Sequence, residues 1–114
     1  MSPTTQPPWA VMTEKIQEAV RRIVEASRPL KVFIFGSQAR SAARPDSDLD
    51  LMVVLGEVSD PVKESVRLRR LLKGLLMAVD VLVVDRAKFD YWRDTPGNVF
   101  FEAARAGKLV YEAS

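Results

Sequence analysis

The sequence predicts a small α/β (α+β) domain, a mixed sheet backed by helices. Three observations predict it. Apolar residues recur at helical spacing over 10–27 and again over 61–78. Three short apolar runs, KVFIF, LMVVL and VLVV, read as buried strands. Helical and strand-like segments alternate along the chain. The 114 residues suit one domain, and a chain of this size buries roughly 65% of its unfolded surface.

The elements follow in order. Residues 1–9 are polar and proline-rich and read as a flexible tail ahead of a single domain over 10–114. From Ala10 to Ser27 the positions Val11, Met12, Ile16, Ala19, Val20, Ile23 and Val24 form one helical face, and Pro29 stops it. A strand is expected over Leu30 to Phe35, a turn at Gly36 and Ser37, and a short helix over Gln38 to Ala43 that Pro45 stops. A second strand is expected over Asp48 to Leu55. Asp60 reads as a helix cap and Pro61 as the first helical residue. That helix is expected to run to about Ala78, with Val62, Val66, Leu68, Leu71, Leu72, Leu75 and Leu76 towards the core. A third strand is expected over Asp80 to Val84. Asp85 then caps a helix over Arg86 to Asp94, another starts at Thr95-Pro96-Gly97 and ends at Gly107, and LVY over 109–111 forms a last strand. The link between the first two strands is short enough to join antiparallel neighbours, so the sheet is expected to be mixed.

Composition excludes several chemistries. There is no cysteine and no histidine, which removes disulfides, thiolate or imidazole metal sites, catalytic triads and any histidine base. Catalysis must rest on carboxylates, Lys, Arg, Ser, Thr or Tyr. The net charge of +2 is compatible with nucleotide contact without arguing for it. The N-terminus has neither the basic start nor the apolar core of a signal peptide, and no apolar run approaches the ~20 residues of a membrane span. The cytoplasm is the expected location, without membrane contact.

The chemistry sits in GSQARSAARPDSDLDLMVV, residues 36–54. Strand side chains alternate faces, so Asp48 and Asp50 share one face. Two carboxylates so placed repel each other, and a divalent cation resolves the conflict. Asp80 is a further acid in an apolar run. If its strand neighbours the second one, it completes a three-carboxylate cluster that suffices for two metal ions about 4 Å apart. Gly36 lets the backbone approach a ligand, Ser37 and Gln38 begin a helical fragment whose free N–H groups favour an anion, and Arg40 and Arg44 add charge.

Gly36-Ser37, ten intervening residues and Asp48-x-Asp50 together resemble the motif of the DNA polymerase beta-like nucleotidyltransferase superfamily, in its minimal nucleotidyltransferase branch. The resemblance continues at Val79-Asp80-Val81 and loosely at EAARAGKLVYE, so it covers most of 30–112. It implies a small mixed sheet backed by helices, with the acids on an open face. It implies Mg²⁺-dependent transfer of a nucleoside monophosphate from a nucleoside triphosphate, AMP from ATP, to a hydroxyl, with release of pyrophosphate. Gly36 and Ser37 would hold the β/γ phosphates, with Arg40 beside them. Asp48 and Asp50 would bind both of two Mg²⁺ ions, and Asp80 would hold the ion that activates the acceptor hydroxyl and take its proton. Many members of this branch are antitoxins that pair with a HEPN-type ribonuclease toxin and can attach AMP to a toxin tyrosine.

Other readings stand beside these. Asp46, Asp48, Asp50 and Glu57 fit an EF-hand frame, but Leu51 stands where that loop needs glycine and LMVVL is strand-like. Beside its metal role, Asp80 could simply open its strand in solvent or pair with a helix-borne arginine. Lys63, Arg67, Arg69, Arg70 and Lys73 make a basic stripe, normally the solvated back of an amphipathic helix, otherwise a surface for an acidic partner or RNA. Tyr91, Trp92, Phe100 and Phe101 are expected mostly in the core. The expected partners are a HEPN-type toxin and a nucleoside triphosphate, in a homodimer or a hetero-oligomer, with no direct nucleic-acid binding. Contact-only neutralisation of a partner, or transfer to a small molecule of aminoglycoside type, are the alternatives. The length leaves no separate substrate domain, which points to an acceptor presented by another protein. The toxin is a different chain, because such ribonucleases use a histidine.

Overall fold

The computed structural model describes residues 10–35, 49–75 and 79–113. Its elements are α1 (Ala10–Ser27), β1 (Lys31–Phe35), β2 (Leu49–Leu55), α2 (Pro61–Arg70), β3 (Val79–Asp85), α3 (Arg86–Trp92), α4 (Val99–Ala106) and β4 (Lys108–Glu112). The strands form one sheet in the order β3-β2-β1-β4. β1 runs antiparallel to both β2 and β4, whereas β2 and β3 are parallel. The mixed sheet is therefore as expected: a short link gives the antiparallel β1–β2 pair, and the helix-containing crossover through α2 gives the parallel pair.

Alternation along β2 divides the molecule into two layers of core. Leu51, Val53 and Leu55 join Val32, Ile34, Val81 and Val83 under Ala19 and Ile23 of α1 and Leu68 of α2. Met52 and Val54 face the other way, with Phe33 and Val84, beneath Phe89 of α3 and Ala103 of α4. Helices thus cover both faces of the sheet. On the face that carries Asp50, α3 and α4 lie over the apolar residues of the sheet. Apolar residues at Phe33, Met52 and Val54 require cover on that side, and α3 and α4 supply it.

Caps fix several boundaries. Arg28 takes a left-handed φ of 49° and its N–H donates to the Val24 carbonyl at 2.9 Å, closing α1 just before Pro29. The Asp60 carboxylate accepts from the Lys63 N–H with Pro61 in the first turn, and Asp85 accepts from the Lys88 N–H. Asn98 accepts from the Phe100 and Phe101 N–H groups, so α4 starts at Val99, later than the proline at 96 suggested. Gly107 must be glycine, because a Cβ there would lie 2.5 Å from the Ala103 carbonyl oxygen and 2.7 Å from that of Ile34.

Three expectations are corrected. The helix expected to reach Ala78 ends at Arg70. Leu71, Leu72 and Lys73 donate to carbonyls three residues back, and Gly74 adopts φ 94°, so the chain tightens into turns that still bury Leu72 and Leu75. Arg22 holds these turns to α1 by donating from Nη1 to the carbonyls of Leu71 and Lys73. Val62 is 74% exposed and Leu71 is exposed rather than core. Tyr91 and Trp92 are exposed, while Phe89 is the aromatic that α3 buries, 5.4 Å from the Phe33 ring. A helix of only seven residues buries a narrow stripe, and Phe89 occupies it.

The expected tail over 1–9, the turn and helix over 36–43 and residues 76–78 lie outside the described residues. Among the described residues no helix is long and apolar enough to cross a membrane.

Candidate functional site

β2 and β3 place their acids on the same rung. Leu49 pairs with Val79, Asp50 with Asp80 and Leu51 with Val81, in parallel register. Register partners in a parallel pair present their side chains to one face, so Asp50 and Asp80 stand side by side there, on strands about 4.8 Å apart. Two residues further on, Met52 and Leu82 already contribute to the core under α3 and α4. The acids lie beyond the part of that face packed under α3 and α4: Asp80 is 67% exposed at its side chain, and Asp50 is half-buried. Desolvation is thus incomplete, and the acids remain reachable from outside.

The same end gathers the neighbouring strands. Phe35, the last residue of β1, is the register partner of Asp50. β1 ends at Phe35 and β2 begins at Leu49, both at the acid-bearing end of the sheet. Gly36, Ser37, Arg40, Arg44 and Asp48 fall between them in sequence and lie outside the described residues. Of the expected three-carboxylate cluster, then, the fold brings Asp50 and Asp80 together. Among the described residues no group of three or more acids is close enough to hold a metal ion.

Asp80 has a cationic neighbour that the motif did not specify. Arg69 Nη1 of α2 lies 3.8 Å from Asp80 Oδ1. β3 is the edge strand, and Arg69 reaches past that edge from the helix packed on the opposite face. A helix-borne arginine at Asp80 was one of the sequence readings; which arginine depends on where α2 ends. Both side chains are more than half exposed, so the pair is weak and exchangeable. Beside it a groove of about 380 Å³ is lined by Val66, Arg69, Arg70, Leu72, Lys73 and Val79. The rest of the basic stripe divides its charge. Arg67 is paired with Glu64, holding the Glu64 carboxyl below its ordinary range, and it also donates to the Ala26 carbonyl.

Comparison with known proteins bears on the family and the fold. Residues 14–114 match the family profile described as polymerase beta, nucleotidyltransferase. No curated protein sequence matches the chain. Among solved structures, a protein of Sulfolobus solfataricus assigned to the nucleotidyltransferases superposes with a TM-score of 0.63 at 22% identity, over 90% of this chain and 82% of that one. Spectinomycin adenyltransferase from Enterococcus faecialis, solved with ATP and spectinomycin, superposes with a TM-score of 0.59 at 15% identity. The chain is covered over 90% of its length in that comparison but spans 55% of the adenyltransferase. At these identities the likeness is one of fold.

Proposed function

Because the chain belongs to the polymerase beta nucleotidyltransferase family, we propose that it transfers AMP from ATP to a hydroxyl of a partner protein, as an antitoxin of the minimal nucleotidyltransferase branch acting on a HEPN-type toxin. The observation that carries the reading is the shared rung of Asp50 and Asp80, with the Asp80 side chain exposed. Two carboxylates side by side offer hard oxygen donors, the donor set Mg²⁺ takes. Asp48, Asp50 and Asp80 would hold the metal. Bound there, Mg²⁺ neutralises charge that develops on the transferred phosphoryl group and makes the acceptor hydroxyl more acidic.

The remaining roles belong to the chain itself. Gly36 and Ser37, with Arg40, hold the β/γ phosphates through backbone N–H groups and charge. A carboxylate oxygen of Asp80, the acid nearer the sheet edge, accepts the proton of the acceptor hydroxyl. The hydroxyl oxygen bonds to the α-phosphorus, the bond from that phosphorus to its bridging oxygen breaks, and pyrophosphate leaves with the electron pair. Positioning and electrostatics carry such a transfer, so a small domain suffices for the chemistry.

The test is label transfer from α-³²P-ATP in the presence of MgCl₂ and the protein encoded beside this one. Wild type is expected to label that protein and Asp50→Asn to leave it unlabelled. If Asp50→Asn still neutralises the partner fully, contact rather than chemistry is the mechanism. A small-molecule acceptor is the second reading, favoured by the fold shared with spectinomycin adenyltransferase. Replacing the partner protein with spectinomycin in the same assay decides between the two.

A further inference from the structure

The groove at the outer edge of β3 carries more charge than its fold requires. Its floor is apolar, formed by Val66, Leu72 and Val79, and its rim is Arg69, Arg70 and Lys73. Among the described residues, neither the Arg70 nor the Lys73 side chain has an acidic partner, and Arg69 has only the loose contact with Asp80. Lys73 contributes to the fold through its backbone carbonyl, which accepts from Arg22, so its ammonium group is not needed for packing. Three cations around one apolar floor suit a segment that is itself acidic with an apolar residue among its acids. Among the described residues no aromatic side chain lines the groove, which therefore offers none of the stacking surface on which nucleic-acid bases are held.

The groove also adjoins the proposed site. Val79, on its floor, precedes Asp80, and Arg69 belongs to both. We propose that this groove binds an acidic segment of the acceptor protein and thereby brings a hydroxyl-bearing residue of that segment to Asp80, an inference that rests on the protein-acceptor reading above. Carboxylates of the segment draw Arg69 off Asp80, so that docking itself releases the acid that takes the hydroxyl proton. Specificity then comes from the sequence around the acceptor hydroxyl rather than from the hydroxyl.

Binding is tested without nucleotide, by fluorescence anisotropy of a labelled peptide EEYLEE against the full chain, with KKYLKK, AAYLAA and oligo(U) RNA as comparison probes. The acidic peptide is expected to bind, to weaken with added salt, and to weaken by about tenfold in the double variant Arg70→Glu/Lys73→Glu. Lys63→Glu/Lys88→Glu, with the same change in charge elsewhere, is expected to change binding less than twofold. Equal loss in both double variants, preference for oligo(U), or no preference for EEYLEE over AAYLAA each overturns the inference. Circular dichroism melts of both variants separate loss of binding from loss of fold. The two readings fail separately. Peptide binding with no label transfer to any acceptor leaves the groove standing and removes the catalytic reading. Label transfer to a protein whose KM is unchanged by Arg70→Glu/Lys73→Glu removes the groove and leaves the catalysis.

Discussion

Asp50 and Asp80 are register partners on adjacent parallel strands, one rung beyond the apolar pairs that α3 and α4 cover. Thirty residues of sequence separate them, and the crossover through α2 brings them together. In such a pair each carboxylate raises the cost of the other's charge, and a shared cation relieves both. Replacement of either acid by asparagine is expected to lower transfer activity by about a hundredfold or more. Label transfer and isothermal titration with Mn²⁺ check it, with a melting curve on each variant as the control for folding. Full activity in Asp80→Asn would remove Asp80 from the site.

On the function proposed above, Arg69 and the metal would compete for Asp80. An exposed ion pair at 3.8 Å contributes at most about 1 kcal/mol, so its removal shifts metal affinity by no more than about fivefold. Arg69→Ala is expected to lower the Mg²⁺ concentration that gives half-maximal activity by two- to fivefold, roughly as that bound allows. A higher Mg²⁺ requirement in this variant would mean that Arg69 supports the site rather than masks it.

Ser65 secures the edge strand. Its hydroxyl accepts from the Val83 N–H at 3.1 Å and donates to the Pro61 carbonyl. Val83 is buried and lies on the strand without an outer neighbour. Ser65→Ala leaves that N–H unsatisfied and is expected to cost about 1–2 kcal/mol, measurable as a lower midpoint in urea with an unchanged slope. A midpoint equal to wild type would show that water takes over the hydroxyl's role.

Glu18 makes stability depend on pH in the acid range. Hydrogen bonds from Arg21, then from Arg22, lower its pKa from 4.5 to about 2. A depressed carboxyl stabilises the folded state above its unfolded pKa and loses that contribution as pH falls through the folded value. The melting temperature is therefore expected to fall between pH 4.5 and about 2, and to fall less in Glu18→Gln. The effect is small because the group is solvent-screened, and added salt shrinks it further. Identical pH profiles for wild type and Glu18→Gln would count against it.

Local signals were legible where a few adjacent residues settle the outcome. Asp60 and Pro61 start α2, Asp85 starts α3, and the spacing of Ile16, Ala19, Val20 and Ile23 makes the buried face of α1. The same spacing misplaced the end of α2. Leu72 and Leu75 are apolar and buried as a helix would have them, but Gly74 and the clamp from Arg22 fold them inward through turns. Tyr91 and Trp92 have core-like chemistry yet remain exposed, because the narrow stripe of α3 is taken by Phe89.

By itself, then, the sequence determined the order of the elements among the described residues, the mixed sheet and the acids at 50 and 80 as candidates for one site. Helix caps, apolar periodicity and a motif read over a few neighbouring residues encode those. Only the tertiary structure decided that Asp50 and Asp80 share a rung, that Arg69 is the arginine beside Asp80, and that α3 and α4 pack on the face that carries the acids. Strand pairing and helix docking are settled by contacts between residues far apart in the chain. Their energy comes from burying surfaces against each other, and no local pattern specifies which surface meets which.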